Sequence, residues 1–346
     1  MTTTPTGALG PTTTTDRTPL LRVQDLTVEF TTAAGVARAL DGVSFEVAAG
    51  ETLAILGESG CGKSTTAQAI MGLLPKPAGS ITGGKILYAG RDLAAEPVRK
   101  VREVCGTEIA MIFQDPLSSL NPVFRVGAQV AEPFRRRRGM RRQEAWARAL
   151  ELLKRVGIPD AETRINDYPH QFSGGQRQRI MIAMALALDP KVLIADEPTT
   201  ALDVTVQKQV MNLLGDLQAE TGMAMILVSH DLGVVAEVAQ RAAIMYAGRI
   251  VETGAIREMY DHPAHPYTQG LLESIPGGGG VGGRLKPIVG SPPNLLDLPS
   301  GCAFSPRCPY ATDRSRQETP TLRTPAGWPA GHQAACHRSE EVLAHV

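Results

Sequence analysis

Apolar positions along the chain fall into short runs of strand length and longer runs with helical spacing. Residues 21–30 and 43–47 alternate apolar with polar side chains, which predicts strands of a half-exposed antiparallel sheet. Later apolar runs are short, as in buried strands, and occupy residues 51–56, 86–88, 108–113, 191–195 and 224–228. Helices are predicted between them over residues 64–74, 141–156, 176–188 and 204–219. Alternating buried strands and helices predict an α/β fold.

A glycine-rich turn joins the predicted strand 51–56 to the helix that follows it. The turn has the spacing G-x-x-x-x-G-K-S, in which backbone N–H groups and a helix N-terminus surround a phosphate group. Lys63 is expected to reach the β- and γ-phosphates, and the Ser64 hydroxyl to bind Mg²⁺. The sequence therefore predicts a nucleoside triphosphate site, formed by Gly57, Ser59, Gly60, Cys61, Gly62, Lys63, Ser64 and Thr65.

A second anion site is predicted where the helix 176–188 begins. Ser173, Gly174, Gly175 and Gln176 place a hydroxyl and two glycine N–H groups at this helix N-terminus. Two interpretations stay open. Either the chain folds back tightly onto the same phosphates as Lys63, or the segment completes a site on another subunit.

Polar side chains also follow three of the buried strands. Asp196 and Glu197 end the strand 191–195, Gln114 follows 108–113, and His230 follows 224–228. Ligands bind outside the carboxyl ends of strands in an open α/β sheet, so these side chains are expected at one edge. We expect Asp196 to hold Mg²⁺ and Glu197 to polarise the attacking water. Gln114 is placed to reach a metal or a water.

Composition narrows the function classes. Lysine plus arginine and aspartate plus glutamate both number 35, so net charge gives no attraction to nucleic acid. The arginines of residues 135–142 lack interleaved aromatics and indicate a solvated face. No apolar run approaches the ~20 residues of a membrane span. Residues 1–19, rich in threonine and proline, are predicted to be a disordered tail and not a secretion signal. We expect a cytosolic protein or one held to a membrane by a partner.

With these elements in this order, the chain resembles the ATP-binding cassette (ABC) family over about residues 20–260. The resemblance implies a RecA-like P-loop core with an antiparallel β subdomain and an inserted helical subdomain at about 117–188. A small irregular C-terminal extension, residues 261–346, is expected as a separate unit after a glycine-rich hinge at 277–283. In this family two cassettes pair head to tail, so ATP would lie between the phosphate loop of one and residues 173–176 of the other.

The same resemblance implies individual roles. Glu197 would be the general base and His230 would contact the γ-phosphate, while Ser64, Gln114 and Asp196 would surround Mg²⁺. Asp203 would cross the seam between the cassettes. Phe30 would stack on adenine, although a core phenylalanine is the other interpretation of this residue.

Narrower features are similar to the ATPase subunits of dipeptide and oligopeptide importers. They are the segment 114–122 and the run His265-Pro266-Tyr267-Thr268. This branch implies a second ABC ATPase subunit in a heterodimer, two integral membrane permease subunits and an extracytoplasmic solute-binding protein, with no nucleic acid. It implies a peripheral location on the cytoplasmic side of the cell membrane, where Gln114 would link the nucleotide site to a permease coupling helix. Import of nickel or another small solute is an alternative. A soluble cassette ATPase acting on DNA or ribosomes is an alternative of another class.

Three of the five cysteines, Cys302, Cys308 and Cys336, lie near the C-terminal end. The peptide-importer branch often carries four cysteines here that bind an iron–sulfur cluster of the 4Fe-4S type. In this chain Ser315 stands where the third of the four is expected. Three hypotheses stay open: a cluster held by three thiolates with Ser315 or water, a zinc ion bound with His332 or His337, or no metal.

Overall fold

The computed structural model describes residues 18–200, 202–274 and 287–344. The predicted glycine-rich hinge lies outside the described residues, as do residues 1–17 of the predicted tail. Pro19, the last residue of that tail, begins the first strand. None of the helices in these described ranges is long and apolar enough to cross a membrane.

Strands and helices alternate through most of the described chain. The strands are β1 (Pro19–Thr32), β2 (Gly35–Ala48), β3 (Thr52–Leu56), β4 (Gly79–Tyr88), β5 (Arg91–Asp92), β6 (Ile109–Ile112), β7 (Val192–Asp196), β8 (Ala224–Ser229), β9 (Arg241–Tyr246), β10 (Arg249–Ala255) and β11 (Gln333–Ala334). The α-helices are α1 (Lys63–Ile70), α2 (Val98–Val104), α3 (Pro116–Ser119), α4 (Val126–Arg137), α5 (Arg142–Arg155), α6 (Ala161–Arg164), α7 (Gly174–Leu186), α8 (Val204–Thr221), α9 (Leu232–Val235), α10 (Ile256–Asp261), α11 (Pro266–Glu273), α12 (Asp313–Gln317) and α13 (Ser339–Ala344). Short 3₁₀ helices occupy Pro169–Gln171 and Ser305–Arg307.

A seven-stranded sheet in the order β11-β10-β9-β3-β8-β7-β6 forms the centre of the described molecule. The strands from β9 to β6 run parallel, and every residue of β3, β7 and β8 is buried, as expected for a sheet covered on both faces. The pairs Leu56↔Ser229 and Asp196↔Val228 bring the carboxyl ends of β3, β7 and β8 level with one another. This common edge positions the groups that follow each strand.

An antiparallel sheet in the order β2-β1-β4-β5 packs against the central sheet. Its buried side chains, such as Leu21, Val23 and Leu40, share a core with Leu53 and Ile55 of β3. The predicted antiparallel sheet is confirmed, with β1 and β2 longer than the alternating runs suggested.

Helices α3 to α7 lie between β6 and β7 in the chain. The predicted helix 141–156 is confirmed as α5. Its most buried positions are Ala145, Ala149, Leu152 and Leu153, whereas Trp146 is only half-buried. The buried stripe is therefore partly made of alanines, which let α4 and α5 approach closely.

Helix α1 ends at Ile70, four residues before the predicted end at residue 74. Gly72 takes a left-handed conformation at φ 65, and the next N–H, of Leu73, bonds back to the carbonyl of Gln68 at 2.8 Å. This glycine C-cap closes the helix early, although the apolar run continues through Leu74.

The C-terminal extension contacts the central sheet at several points in the described chain. Strand β11 adds to the edge of the central sheet by pairing with β10. Phe304 is 2% exposed and packs in the same core as the sheet. The buried carboxylate of Glu252 in β10 lies 2.7 Å from Nε2 of His332, just before β11.

Candidate active site

The phosphate loop leaves β3 and enters α1 as the spacing predicts. Gly57 has φ 152, and a Cβ there would lie 2.2 Å from the carbonyl oxygen of Met245. Gly62 has φ 112, and its Cβ would meet Ala39 O at 2.9 Å. Only glycine fits these two positions, since both the dihedral angle and the space exclude a side chain. Ser59 and Gly60 form the exposed rim, and Ser64 and Thr65 lie half-buried at the helix start.

Lys63 points back into the loop and is 4% exposed. Its ammonium donates hydrogen bonds to the carbonyl oxygens of Gly57 at 2.8 Å and Glu58 at 3.0 Å. Nζ also lies 3.8 Å from Oε1 of Glu197. A buried cation within a glycine-rich loop at a helix N-terminus is suited to bind a polyphosphate.

Ser64 and Asp196 bring two oxygen ligands together. The Ser64 hydroxyl donates to Oδ1 of Asp196 at 3.0 Å. Burial raises the pKa of the Asp196 carboxyl, and the Ser64 hydrogen bond opposes that rise. Oxygen atoms of hydroxyl and carboxylate groups are ligands that Mg²⁺ prefers, so Ser64 and Asp196 fit this ion. Gln114 contacts the next residue, Glu197.

Glu197 is the centre of the site. It lies in the left-handed region at φ 45, which is strained for a residue with a side chain. Its Oε2 accepts hydrogen bonds from Gln114 Nε2 at 2.8 Å and from the Thr200 hydroxyl at 2.9 Å. Nδ1 of His230 lies 3.4 Å from the same oxygen. Gln114, Glu197 and His230 therefore meet at one edge of the sheet, as predicted, and Thr200 is a member that sequence reasoning missed.

An open cavity of about 190 Å³ adjoins Glu197. Its walls come from the ends of β7 and β8 and from the start of α8, and they are formed by Glu197, Thr199, Thr200, Leu202, Gln207, Ser229, His230 and Asp231. A water or a phosphate oxygen can therefore reach the carboxylate from solvent.

The second predicted anion site forms the start of α7. The Ser173 hydroxyl accepts from the Gln176 N–H at 3.3 Å, and the Gln176 side chain accepts from the Ser173 N–H at 3.1 Å. Arg164 also donates to Gln176, and its guanidinium stacks 4.1 Å over the ring of Phe172. No hydrogen bond or ion pair of the described residues joins residues 173–176 to Lys63 or Glu197. The structure does not bring the two predicted anion sites into contact.

Three other predicted residues have local structural roles. Phe30 is half-buried in β1 and faces Gly79, where a Cβ would lie 2.8 Å from its ring. Asp203 caps α8 by accepting from the Val206 N–H at 3.0 Å. Cys61 is buried in the loop, and burial raises the pKa of its thiol, so it is kept neutral.

A contact from the C-terminal extension reaches the phosphate loop and was not predicted. Arg307 binds the carboxylate of Glu58, with Nη1 to Oε2 at 2.6 Å and Nη2 to Oε1 at 3.0 Å. The two residues are 249 positions apart in the chain. No local pattern in a sequence signals such a pair.

Cys302, Cys308 and Cys336 line one cavity of about 20 Å³, roughly the room for one water molecule. Burial raises the pKa of all three thiols, that of Cys336 to about 12, which opposes thiolate formation. The Ser315 hydroxyl forms two hydrogen bonds with the backbone of Thr312. It donates to the Thr312 carbonyl oxygen at 2.8 Å and accepts from the Thr312 N–H at 2.9 Å.

The two histidines proposed as zinc ligands are also engaged elsewhere. His332 pairs with Glu252, and His337 lies 3.0 Å from the carbonyl oxygen of Glu318. Among the residues that the structure describes, no three His, Cys, Asp or Glu side chains are arranged to hold a metal ion. The residues present therefore do not fit the iron–sulfur or zinc hypotheses.

Two family models match the chain. Residues 40–200 match the ABC transporter model, and residues 251–314 match a model described as the C-terminal region of oligopeptide/dipeptide transporters. The first match covers the phosphate loop, residues 173–176 and Glu197. The second covers the whole of α11 and the segment with Arg307.

Curated relatives match over most of their length. The chain is 50% identical to the probable peptide ABC transporter ATP-binding protein y4tR of Sinorhizobium fredii, over 94% of this chain and 96% of that protein. It is 51% identical to the dipeptide transport ATP-binding protein DppD of Bacillus subtilis, over 84% and 87% of the two chains. It is also 51% identical to the oligopeptide transport ATP-binding protein OppD of the same organism, over 88% and 86%.

A solved structure shares the fold of the cassette. The dimeric, post-hydrolysis ATP-binding cassette MJ0796, bound to ADP and Pi, superposes with a TM-score of 0.61 at 29% identity. The superposition covers 68% of this chain and 99% of MJ0796. The α/β fold with a RecA-like P-loop core is thereby confirmed.

Proposed function

We propose that this chain, which belongs to the ATP-binding subunits of ABC transporters, hydrolyses ATP to drive the import of dipeptides and oligopeptides across a membrane. The peptide class rests on the names of its relatives, which are dipeptide and oligopeptide transport ATP-binding proteins, and on the match to the C-terminal region of such transporters. The observation that carries the ATPase chemistry is the position of Glu197, whose carboxylate contacts Lys63, Gln114, Thr200 and His230. Neither nickel transport nor an action on DNA or ribosomes has an observation in its favour.

The chain supplies most of the groups that phosphoryl transfer needs. Lys63 would leave its loop carbonyls for the β- and γ-phosphates, where its charge offsets that of the triphosphate. Ser64 and Asp196, with Gln114, would hold Mg²⁺, which would offset the negative charge that develops on the triphosphate. Asp196 would bind the ion as a carboxylate.

Glu197 is suited to take a proton from the attacking water. Gln114 and Thr200 both donate to its Oε2, which fixes the plane of the carboxylate. The left-handed backbone and the 2.9 Å bond from its N–H to Val228 O hold the residue at the end of β7. His230 lies beside the same oxygen and would contact the γ-phosphate.

A second cassette would complete the pocket with its own residues 173–176. The support is that these residues contact neither Lys63 nor Glu197 within the described chain, while their serine and N–H groups suit an anion. A helix N-terminus is a natural phosphate site, and Asp203 at the start of α8 would lie near the seam. MJ0796, with the same fold, is described as dimeric.

A groove between α4 and α5 is suited to a membrane permease subunit. It has a volume of about 670 Å³ and is lined by Val123, Phe124, Arg125, Ala128, Arg142, Gln143, Trp146, Asn166 and Tyr168. Val123 is 71% exposed and Phe124 56%, which is unusual for large apolar side chains. Two such permease subunits and an extracytoplasmic solute-binding protein complete the proposed importer, with this chain on the cytoplasmic face.

Peptide uptake by cells tests the proposal. A labelled dipeptide and labelled nickel are supplied to cells that carry either the wild-type chain or Glu197→Gln as their only copy. We expect the wild type alone to accumulate the dipeptide, with nickel uptake equal in both strains. Equal dipeptide uptake in the two strains, or a difference in nickel only, contradicts the peptide assignment.

A further inference from the structure

Arg307 lies in the short 3₁₀ helix of the C-terminal extension, yet its guanidinium reaches the phosphate loop. Both terminal nitrogens bind the two carboxylate oxygens of Glu58, at 2.6 and 3.0 Å, in a bidentate pair. The Arg307 side chain is 5% exposed and that of Glu58 26% exposed, so solvent screens the pair only partly. Glu58 is the second residue of the loop that starts at Gly57.

The remaining donors of Arg307 are also used. Nε donates to Val289 O at 3.0 Å, Nη1 to the Tyr246 hydroxyl at 3.3 Å, and Nη2 to Ile288 O at 3.4 Å. Its guanidinium carbon lies 5.9 Å from the ring centroids of both Tyr246 and Phe304. Arg307 is therefore fixed in place and presents Glu58 with a preorganised cation.

A second bond from the extension holds the same loop residue. The Glu58 N–H donates to the hydroxyl of Tyr267 in α11 at 2.8 Å. The Tyr267 ring packs against Tyr246 and Phe304, with centroids 4.6 and 5.4 Å apart. On its other side, the Glu58 carbonyl accepts from Lys63 Nζ at 3.0 Å. One residue therefore connects the extension to the lysine of the phosphate loop.

We propose that Arg307 is a positioning residue for nucleotide binding: it holds Glu58, and with it the phosphate loop, and it offsets a carboxylate that would otherwise repel the triphosphate. The inference rests on the proposed nucleotide site. Under this inference, the C-terminal extension helps to set the affinity of the chain for ATP.

Electrostatics gives the direction of the effect. A loop that binds three phosphates is an unfavourable place for an unpaired, partly buried carboxylate. Removing the Arg307 charge alone leaves the negative charge of Glu58 unpaired. Removing both charges together leaves neither residue with an unpaired charge. The single variant is therefore expected to bind nucleotide more weakly than the double variant.

A titration of the purified full-length chain with a fluorescent ATP analogue and Mg²⁺ tests this inference. Arg307→Gln should raise the Kd by about 5- to 150-fold, the usual range of coupling between two sites. Glu58→Gln/Arg307→Gln should recover most of the loss. Arg307→Lys, which keeps the charge but not the bidentate geometry, should lie between the wild type and Arg307→Gln.

Arg316→Gln is the matched control, because Arg316 lies in the same extension, is 60% exposed and pairs only with exposed Asp313 among described groups. It should leave the Kd unchanged. A wild-type Kd for Arg307→Gln, even with a lowered melting temperature, overturns the inference and leaves Arg307 a structural role. A double variant no better than Arg307→Gln also overturns it.

Lys63→Ala in the same titration separates this inference from the proposed nucleotide site. If Lys63→Ala binds the analogue as the wild type does, the nucleotide site itself is wrong. If Lys63→Ala loses binding while Arg307→Gln keeps it, the nucleotide site stands and only the role of Arg307 fails.

Discussion

Two parts of this chain offer groups suited to a phosphate, and they differ in how those groups are held. At the carboxyl edge of β3, β7 and β8, side chains from distant segments contact one another, with Glu197 bonded to Gln114 and Thr200. At the start of α7, Ser173 and Gln176 bond to each other in a capping box. The first set is a cluster of side chains from distant segments, whereas the second set lies at the start of one helix.

The difference has a functional consequence. Mutually bonded groups within one chain can place a general base and metal ligands beside one another. The start of α7 makes no hydrogen bond or ion pair to Lys63 or Glu197 among the described residues, so we propose that it binds a phosphate held by another molecule. Under the proposed function, the chain would carry the catalytic part of one pocket and the closing part of another, so that a cassette would need a partner.

The largest expected effect comes from the catalytic cluster. Glu197→Gln keeps the size of the side chain but removes the base, so ATP hydrolysis should fall by about 10²–10⁴-fold. Binding of an ATP analogue should stay near the wild-type level, since the phosphate loop is untouched. Phosphate release by the assembled transporter measures the first and a fluorescence titration the second.

Glu220→Gln is the control for that change, because Glu220 is exposed on α8 and pairs with Arg155 at the surface. It should hydrolyse ATP as the wild type does. Near-normal turnover by Glu197→Gln would show that another group is the base.

A second change separates the helix end from the cluster. Ser173→Arg places a large cation at the start of α7, and hydrolysis by the assembled transporter should fall by about 10²-fold, similar to the loss of one transition-state donor. The isolated chain should still bind nucleotide normally, because residues 173–176 do not contact its own phosphate loop. Equal losses of binding and hydrolysis would place Ser173 in the same pocket as Lys63.

Thr312→Arg is the matched control for the lost helix cap. Thr312 caps α12 through the same capping-box geometry but lies in the C-terminal extension. A cap contributes about 1 kcal/mol, so both variants should lose similar stability, and only Ser173→Arg should lose this much activity.

Lys63→Ala tests how much the lysine of the phosphate loop contributes to nucleotide binding. A hydrogen bond to a charged group contributes about 1.5–3 kcal/mol, which predicts a Kd for ATP raised by about 10- to 150-fold. Isothermal titration of the full-length chain measures it, with Arg316→Gln as a control for loss of a surface charge. An unchanged Kd would contradict the nucleotide site assigned to this loop.

The smallest effect concerns the stability of the extension. His265 is fully buried, its Nδ1 accepts from the Tyr267 N–H at 3.0 Å, and burial lowers its pKa to about 3. The folded protein therefore favours neutral His265. The contribution of this preference to the free energy of unfolding is complete above pH 6.5 and is lost as the pH falls towards 3. Each pH unit below 6.5 should cost up to about 1.4 kcal/mol of unfolding free energy.

Denaturant unfolding at pH 7.5 and pH 5.5 measures that loss. His265→Asn, whose amide oxygen can accept the same N–H, removes the titrating group and should show a smaller difference between the two pH values. A wild-type difference no larger than that of the variant would contradict the assignment.

The parts of the site that the sequence predicted share one property. Gln114, Asp196, Glu197 and His230 all lie at or within two residues of the carboxyl end of a buried strand. Lys63 lies in a motif of fixed spacing, so local pattern and sheet topology suffice to bring these residues together. Thr200 was missed because a threonine three residues after Glu197 has no distinguishing spacing.

Longer-range features could not be predicted in this way. The Arg307–Glu58 pair and the β10–β11 pairing depend on how the C-terminal extension packs against the rest of the chain. The spacing of apolar residues in the sequence carries no information about that packing. The cysteines were a clear signal in the sequence, but burial and the engagement of Ser315 by Thr312 decide what they can bind. The early end of α1 depended on a single glycine conformation.

The most direct measurement is the specific rate of ATP hydrolysis as the purified chain is diluted. If residues 173–176 of a second cassette complete the pocket, the dilute chain should hydrolyse little ATP. The specific rate should then rise when a partner cassette is added. A rapid specific rate that stays constant on dilution would contradict the account, because a single chain would then carry a complete pocket.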